Sequence, residues 1–158
     1  MSTFAAVFAP DGGTWRGTEL ELGEVDVVDD VTELTLDFAT DTGAPSAVLL
    51  VEVDDEWFAI VRAYEDGEPR VYLSDARAVE EYPLAEVLAE AGTLVGAGAP
   101  DTSRGAAPGG DAGLLEDFGV PADELRSLSV GSGVLPSDVL AVVADRAGFG
   151  ELLDGMRL

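Results

Sequence analysis

Two acidic clusters and one mixed-charge tetrapeptide are the residues of this chain whose types and spacing could do chemistry. Asp54-Asp55-Glu56 sets three carboxylates in a row between two apolar runs. Oxygen ligands of that kind suit a hard divalent cation. The alternating ligand positions of a calcium loop are missing, so an acidic hairpin turn is the plainer reading. Asp26, Asp29 and Asp30 lie in a run, DVVDDVTELTLD, that lacks the mid-loop glycine such a loop requires. Ser74-Asp75-Ala76-Arg77 is the one compact polar constellation. Arg77 can pair with Asp75 or hold an acidic group on a partner; a helix cap with a local ion pair is the structural alternative. Trp15 and Trp57 are either interface anchors or buried sheet residues. Paired carboxylates can run glycoside hydrolysis, but with 32 acidic residues such pairs arise by number alone.

The absences decide more than these clusters do. The chain has no histidine and no cysteine. The usual zinc site, a cysteine nucleophile and a Ser-His-Asp triad are therefore excluded. Lysine is absent too, so there is no Schiff base and no phosphate-loop lysine. Carboxylates, hydroxyls and arginine remain, and no cofactor or metal site is expected from them.

The net charge of -24 on 158 residues limits the partners. Phosphate backbones are repelled unless arginines cluster. The nearest approach to a cluster, Arg62, Arg70 and Arg77, has Glu65, Asp66, Glu68 and Asp75 among it. Direct nucleic-acid binding is thus disfavoured, an anionic membrane surface likewise, and a basic protein partner is allowed. Solubility alone is the bland explanation of the charge. Asparagine and glutamine are missing as well, and Ile60 is the sole isoleucine, which suits a GC-rich genome; a halophile's acidic surface is the competing explanation. The first ten residues lack a basic segment and the apolar run Phe4 to Ala9 is too short for a signal peptide, so the cytoplasm is the default compartment.

The elements that must position these residues centre on Ala47 to Leu73. Ala47 to Val53 is nearly all apolar, as a strand buried on both faces would be. From Trp57 the chain alternates: Trp57, Ala59, Val61 and Ala63 face one way, Phe58, Ile60, Arg62 and Tyr64 the other. An Asp66-Gly67 turn then leads to a short strand, Arg70 to Leu73. Upstream, Phe4 to Ala9 and Thr14 to Leu22 read as a hairpin across Pro10 to Gly13, with the second strand outermost and Gly17 marking a bulge. Val31 to Phe38 fits both a helical stripe (Val31, Leu34, Phe38, capped by Asp29 or Asp30) and strand alternation; helix is chosen. Asp75 to Glu81 suits one turn of helix. Pro83 opens a better helix carrying Leu84, Val87, Leu88 and Ala91. Residues 96–112, rich in Gly, Ala and Pro, read as a flexible linker. Helices follow at Ala112 to Phe118, from Pro121, at Pro136 to Ala147 with Leu135 on its apolar face, and at Phe149 to Met156.

This pattern resembles an actinobacterial family, the tRNA adenosine deaminase-associated proteins. FAAVFA followed by a tryptophan, the segment VLLVEVDDEWFAIVRAYEDGEPRVYLSDARA and the ending DRAGFGELLDGM carry the resemblance, most specifically over Val48 to Ala78. It implies a link with a tRNA-editing deaminase and supplies no catalytic residues. The chain is not itself such a deaminase: those zinc enzymes need H-x-E and P-C-x-x-C motifs, which cannot exist without His or Cys.

The reading is therefore an α+β protein with an antiparallel sheet of about five strands, helices on one face, and a small C-terminal helical region. Residues 1–95 form the sheet domain, 96–112 the linker and 113–158 the helical region. The expected function is that of a non-catalytic accessory protein which meets a deaminase or another basic protein through an acidic surface. Trp57, Asp54, Asp55, Glu56, Asp75 and Arg77 are the candidate contact residues. A carboxylate- and metal-dependent enzyme and a homo-oligomeric structural protein are the alternatives.

Overall fold

The computed structural model describes residues 3–20, 28–54, 56–65, 69–75, 82, 86, 88, 109–110, 112–129 and 135–156. Five strands are built from the first hairpin and the meander: β1 (Thr3–Asp11), β2 (Thr14–Leu20), β3 (Ser46–Val53), β4 (Trp57–Tyr64) and β5 (Arg70–Leu73). A two-residue β6 (Gly109–Gly110) joins the far edge, giving the order β2-β1-β3-β4-β5-β6, antiparallel throughout. Helix α1 (Val28–Thr42) precedes β3. The C-terminal part holds a 3-10 turn (Glu116–Phe118), then α2 (Ala122–Ser129), α3 (Pro136–Ala147) and α4 (Gly150–Met156). The protein is α+β, as the strand and helix periodicities predict.

β3 lies at the centre of the sheet and all eight of its residues are buried. Its alternate residues feed two separate cores. Leu49, Val51 and Val53 join Trp57, Ala59 and Val61 of β4 on one face, beneath Val31 and Ala39 of α1. Val48 and Leu50 join Phe58 and Ile60 on the other, beneath Leu125, Val139, Leu140, Val143 and Phe149. The alternation predicted for β4 is therefore the division between the cores. The C-terminal region covers the sheet face that α1 leaves open.

Several local expectations are corrected. Helix α1 begins at Val28, so Asp29 and Asp30 fall inside it rather than at its cap. Its inward stripe is Val31, Thr35 and Ala39, while Leu34 is 38% exposed. The buried Thr35 hydroxyl escapes an unpaired state by donating to the Val31 carbonyl at 2.8 Å. Leu135 is half-exposed and stands in extended backbone just before α3, with Pro136 taking the first helical position. Residues 112–118 form turns ending in the 3-10 turn, because Gly119, at φ 94°, stops the chain after one turn. Gly109 and Gly110, inside the expected linker, pair with Leu73 and Tyr72. The rest of the linker through 108, and the expected helix at 76–81, lie outside the described residues. Of the helix expected after Pro83, Glu86 and Leu88 are described, and both are helical. Among the described residues no helix is long and apolar enough to cross a membrane.

The first hairpin turns through Gly12 and Gly13, both at positive φ, as a two-residue type I′ connection requires. Gly17 marks no bulge: it pairs in register with Phe8. A Cβ there would stand 2.6 Å from the Phe8 ring and 3.0 Å from the Met156 methyl. Phe8 cannot yield, because it is fully buried and stacked on Phe149 with centroids 4.3 Å apart. Gly17→Ala is expected to lower unfolding free energy by about 1–3 kcal/mol, the cost of forcing a methyl into a packed core. Gly155→Ala, where a Cβ meets nothing within 4 Å, is the helix control and should be neutral or slightly stabilising by denaturant titration.

Candidate partner-binding site

The hairpin between β3 and β4 closes through a hydrogen bond from the Glu56 amide to the Val53 carbonyl, 2.9 Å. Asp54 takes the left-handed conformation there, φ 53°, which aspartate tolerates better than most side chains. Asp54 and Glu56 are exposed. The Tyr82 hydroxyl donates to the Glu56 carboxylate, and the Tyr82 ring lies 5.6 Å from that of Trp57. Trp57 itself is 2% exposed and belongs to the core beneath α1. It supports the hairpin from below, and its indole N–H has no hydrogen-bond partner among the described residues.

The end of β5 returns to the same place. Ser74 donates its amide to the Phe58 carbonyl and accepts the Phe58 amide on its hydroxyl, both at 2.9 Å. The side chain thereby substitutes for a main-chain carbonyl and prolongs the ladder by one residue. This brings Asp75 to the sheet end that carries Asp54 and Glu56. Three candidate carboxylates are thus gathered at one end of the sheet. Asp55 and Arg77 lie outside the described residues. Among the described residues no group of three or more His, Cys, Asp or Glu side chains is placed to hold a metal ion.

A second polar constellation is one the sequence reading did not single out. Arg62, inward-facing on β4, is 5% exposed beneath the C-terminal region. It donates to the Leu114 carbonyl at 3.0 Å, to Ser46 Oγ at 3.1 Å and to the Asp117 carboxylate. The Phe118 ring sits over the guanidinium at 4.1 Å and the Tyr64 ring at 5.0 Å. Of its three nitrogens, only Nε lacks an acceptor among the described residues. The signal was available: an arginine in an otherwise apolar alternation must find a counter-ion or a carbonyl. Nearby, Ser129 donates to the Leu125 carbonyl at 2.8 Å, leaving the Tyr72 hydroxyl to donate to Ser129 at 2.6 Å.

The arrangement defines an α+β protein with an acidic sheet end and a buried arginine tie to its C-terminal helices. The family model described as Rv3753c-like tRNA adenosine deaminase-associated protein matches residues 3–150, and the chain belongs to that family. Protein Rv3753c of Mycobacterium tuberculosis is 34% identical over 110 residues, which cover 68% of this chain and 61% of that relative. The match thus spans less than two thirds of the relative's length. No solved structure matches the chain.

Two pH dependences follow. The hydrogen bond from Arg62 is the main cause holding the Asp117 carboxyl below its ordinary value. A carboxylate so lowered contributes stability that is whole above the ordinary range and lost as pH falls through the lowered value. Asp117→Asn should remove that acid-side slope and lower stability at pH 7 by about 1–2 kcal/mol, less than breaking a fully buried pair because Asp117 is itself exposed. On the alkaline side, burial pushes Tyr72 up to about 12. Unfolded tyrosine ionises near 10, so stability should decline as pH rises from there towards about 12. Tyr72→Phe should flatten that decline in unfolding titrations.

Proposed function

We propose that this protein is a non-catalytic accessory protein of a tRNA adenosine deaminase, acting in the cytoplasm through protein-protein contact on an acidic surface. Membership of a family described as deaminase-associated carries the proposal. The charge supports it: an enzyme that binds tRNA presents a basic surface, and a chain of net charge -24 complements such a surface. Docking there would compete with RNA or gate its access. The chemistry available to the chain agrees, since a zinc-bound water cannot be held in the deaminase manner without His or Cys. Asp54, Glu56 and Asp75, gathered at one sheet end, are the contact residues we favour, with Asp55 and Arg77 completing the set.

Charge complementarity of this kind acts chiefly on encounter rate and is screened by salt. The two purified proteins are expected to associate at low ionic strength, by calorimetry or size-exclusion chromatography, and to separate as salt rises. Replacing Asp54, Glu56 and Asp75 together by their amides should weaken the complex by about tenfold. Absence of any association at low salt would end the proposal; association untouched by the triple replacement would move the contact elsewhere on the chain.

A further inference from the structure

The sheet ends differently at its two edges. At one edge β5 is only four residues long and is followed outwards by the two-residue β6. The other edge is β2, seven residues paired with β1 in unbroken register from Thr14 to Leu20. This strand has no proline, no lysine and no bulge, devices that keep an edge strand from pairing with another chain. Thr14, Arg16, Thr18 and Glu19 are exposed along it. The Arg16 charge is met from within the hairpin by Asp11, 3.6 Å away.

The ladder determines which main-chain groups of β2 are already paired. In antiparallel strands each residue turns its N–H and its C=O to the same side, and the next residue turns both to the other side. Ser74 bonds the Phe58 carbonyl and the Phe58 amide, so Phe58 turns towards β5 and Trp57 towards β3. Carried across the register, Val53, Val51 and Leu49 turn towards β4, Leu50 and Val48 towards β1, and Ala6 and Phe8 towards β3. Val7 and Ala9 therefore turn towards β2, where they meet Thr18 and Arg16. The first hairpin agrees from its own end: Asp11 and Thr14 flank its two-residue loop and so exchange main-chain bonds with each other. Trp15, Gly17 and Glu19 are left. Each aims its N–H and C=O out of the sheet, and none has a main-chain partner there among the described residues.

We infer that β2 is a self-pairing edge, which joins a second copy of this chain in an antiparallel, two-fold symmetric dimer centred on Gly17. In that register Gly17 meets its own counterpart, and Trp15 meets Glu19 of the second copy in both directions, so every open N–H and C=O is paired. Arg16 stands opposite Thr18 of the second copy, and no like charges are directly opposed. Gly17 also leaves the axis free of a side chain on the face where Phe8 and Met156 already crowd it. Other registers do worse. A shift of two residues one way sets Arg16 against its own counterpart; a shift the other way carries Trp15 beyond the end of β2. A shift of one residue would set residues of opposite faces against each other. The net charge of -24 opposes the approach of two copies, and salt screens that repulsion. The dimer therefore tightens as salt rises. The deaminase contact proposed above weakens with salt and uses other residues, so either proposal can fail without the other.

Sedimentation equilibrium of the unaltered protein, over a concentration series at low and at high salt, reads the association directly. A reversible monomer-dimer equilibrium, stronger at high salt, is expected. A monomer at every concentration up to about 100 µM in high salt would overturn the inference. Glu19→Pro removes an N–H that points outwards and leaves the bonds to β1 whole, as proline on an edge strand can. It should weaken the dimer at least about tenfold, whereas Glu19→Ala, which keeps that N–H, should not weaken it. A dimer untouched by Glu19→Pro would place the contact elsewhere and overturn the inference. Cross-linking reads the register without relying on that variant, because the chain holds no cysteine of its own. Arg16→Cys and Thr18→Cys, mixed and oxidised, should give a cross-linked dimer in at least about fivefold the yield of either variant alone, since only the mixed pair stands directly opposite within disulfide reach. Equal yields from the mixture and from each variant alone would be equally decisive against the Gly17-centred pairing.

Discussion

A cation inside a sheet is the constraint on which the C-terminal half depends. Arg62 sits on a strand whose neighbours on that face are Phe58 and Ile60, where an uncompensated charge would be prohibitive. Its solution takes three partners from two different parts of the chain: Ser46 from the adjacent strand, and the Leu114 carbonyl with Asp117 from the turn that begins the C-terminal region. The turn is thereby fixed in place. Phe118, the last residue of that turn, lands on the guanidinium and brings its edge to Trp15, 5.0 Å away. Trp15 in turn meets Phe149, and Phe149 stacks on Phe8. One buried charge is thus continuous with the aromatic cluster that seats α3 and α4. The residue type matters here. Lysine is absent from the chain, and a guanidinium can serve a carbonyl, a hydroxyl, a carboxylate and a ring together, where an ammonium is a compact point charge.

The second constraint is the doubly buried β3. A central strand with no polar face must be covered on both sides, and the chain meets the two demands in sequence order. Helix α1 is laid down before β3 and covers one side; the C-terminal helices arrive last and cover the other. The first cover rests on the sheet through Val31 and Ala39 of α1, with Ala44 buried just beyond the helix. The second is assembled from short helices that could not stand alone, and it is therefore the one that uses polar ties.

What could be read from the sequence follows from these constraints. The uninterrupted apolar run of Ala47 to Val53 and the alternation from Trp57 are direct records of burial, and both were legible. So were the helices opened by Pro121 and Pro136, because proline marks the position as well as the element. The stripe of α1 was misjudged at Leu34 because threonine counts as polar in any periodicity, yet Thr35 can be buried once its hydroxyl bonds the preceding turn. Gly17 looked like a bulge because a strand glycine usually marks either a bulge or a close approach, and only the facing residue, Phe8, tells which. Arg62 was correctly placed on its face, but its partners lie 52 and 55 residues away along the chain, a separation that no local pattern encodes.

The candidate contact residues show the same limit from the other side. Asp54 and Glu56 are two residues apart in one short turn, so their common position was legible; Asp75 joins them only because Ser74 extends the β5 ladder with its side chain. Trp57 illustrates why residue type alone misleads. An indole beside three acidic residues suggests an anchor, but strand alternation sends Trp57 into the core with Ala59 and Val61 and leaves the Asp54 and Glu56 carboxylates outside. A partner meeting this end would find charge rather than aromatic surface. Contact through charge favours fast, salt-sensitive association over tight burial, as the accessory role proposed above would require.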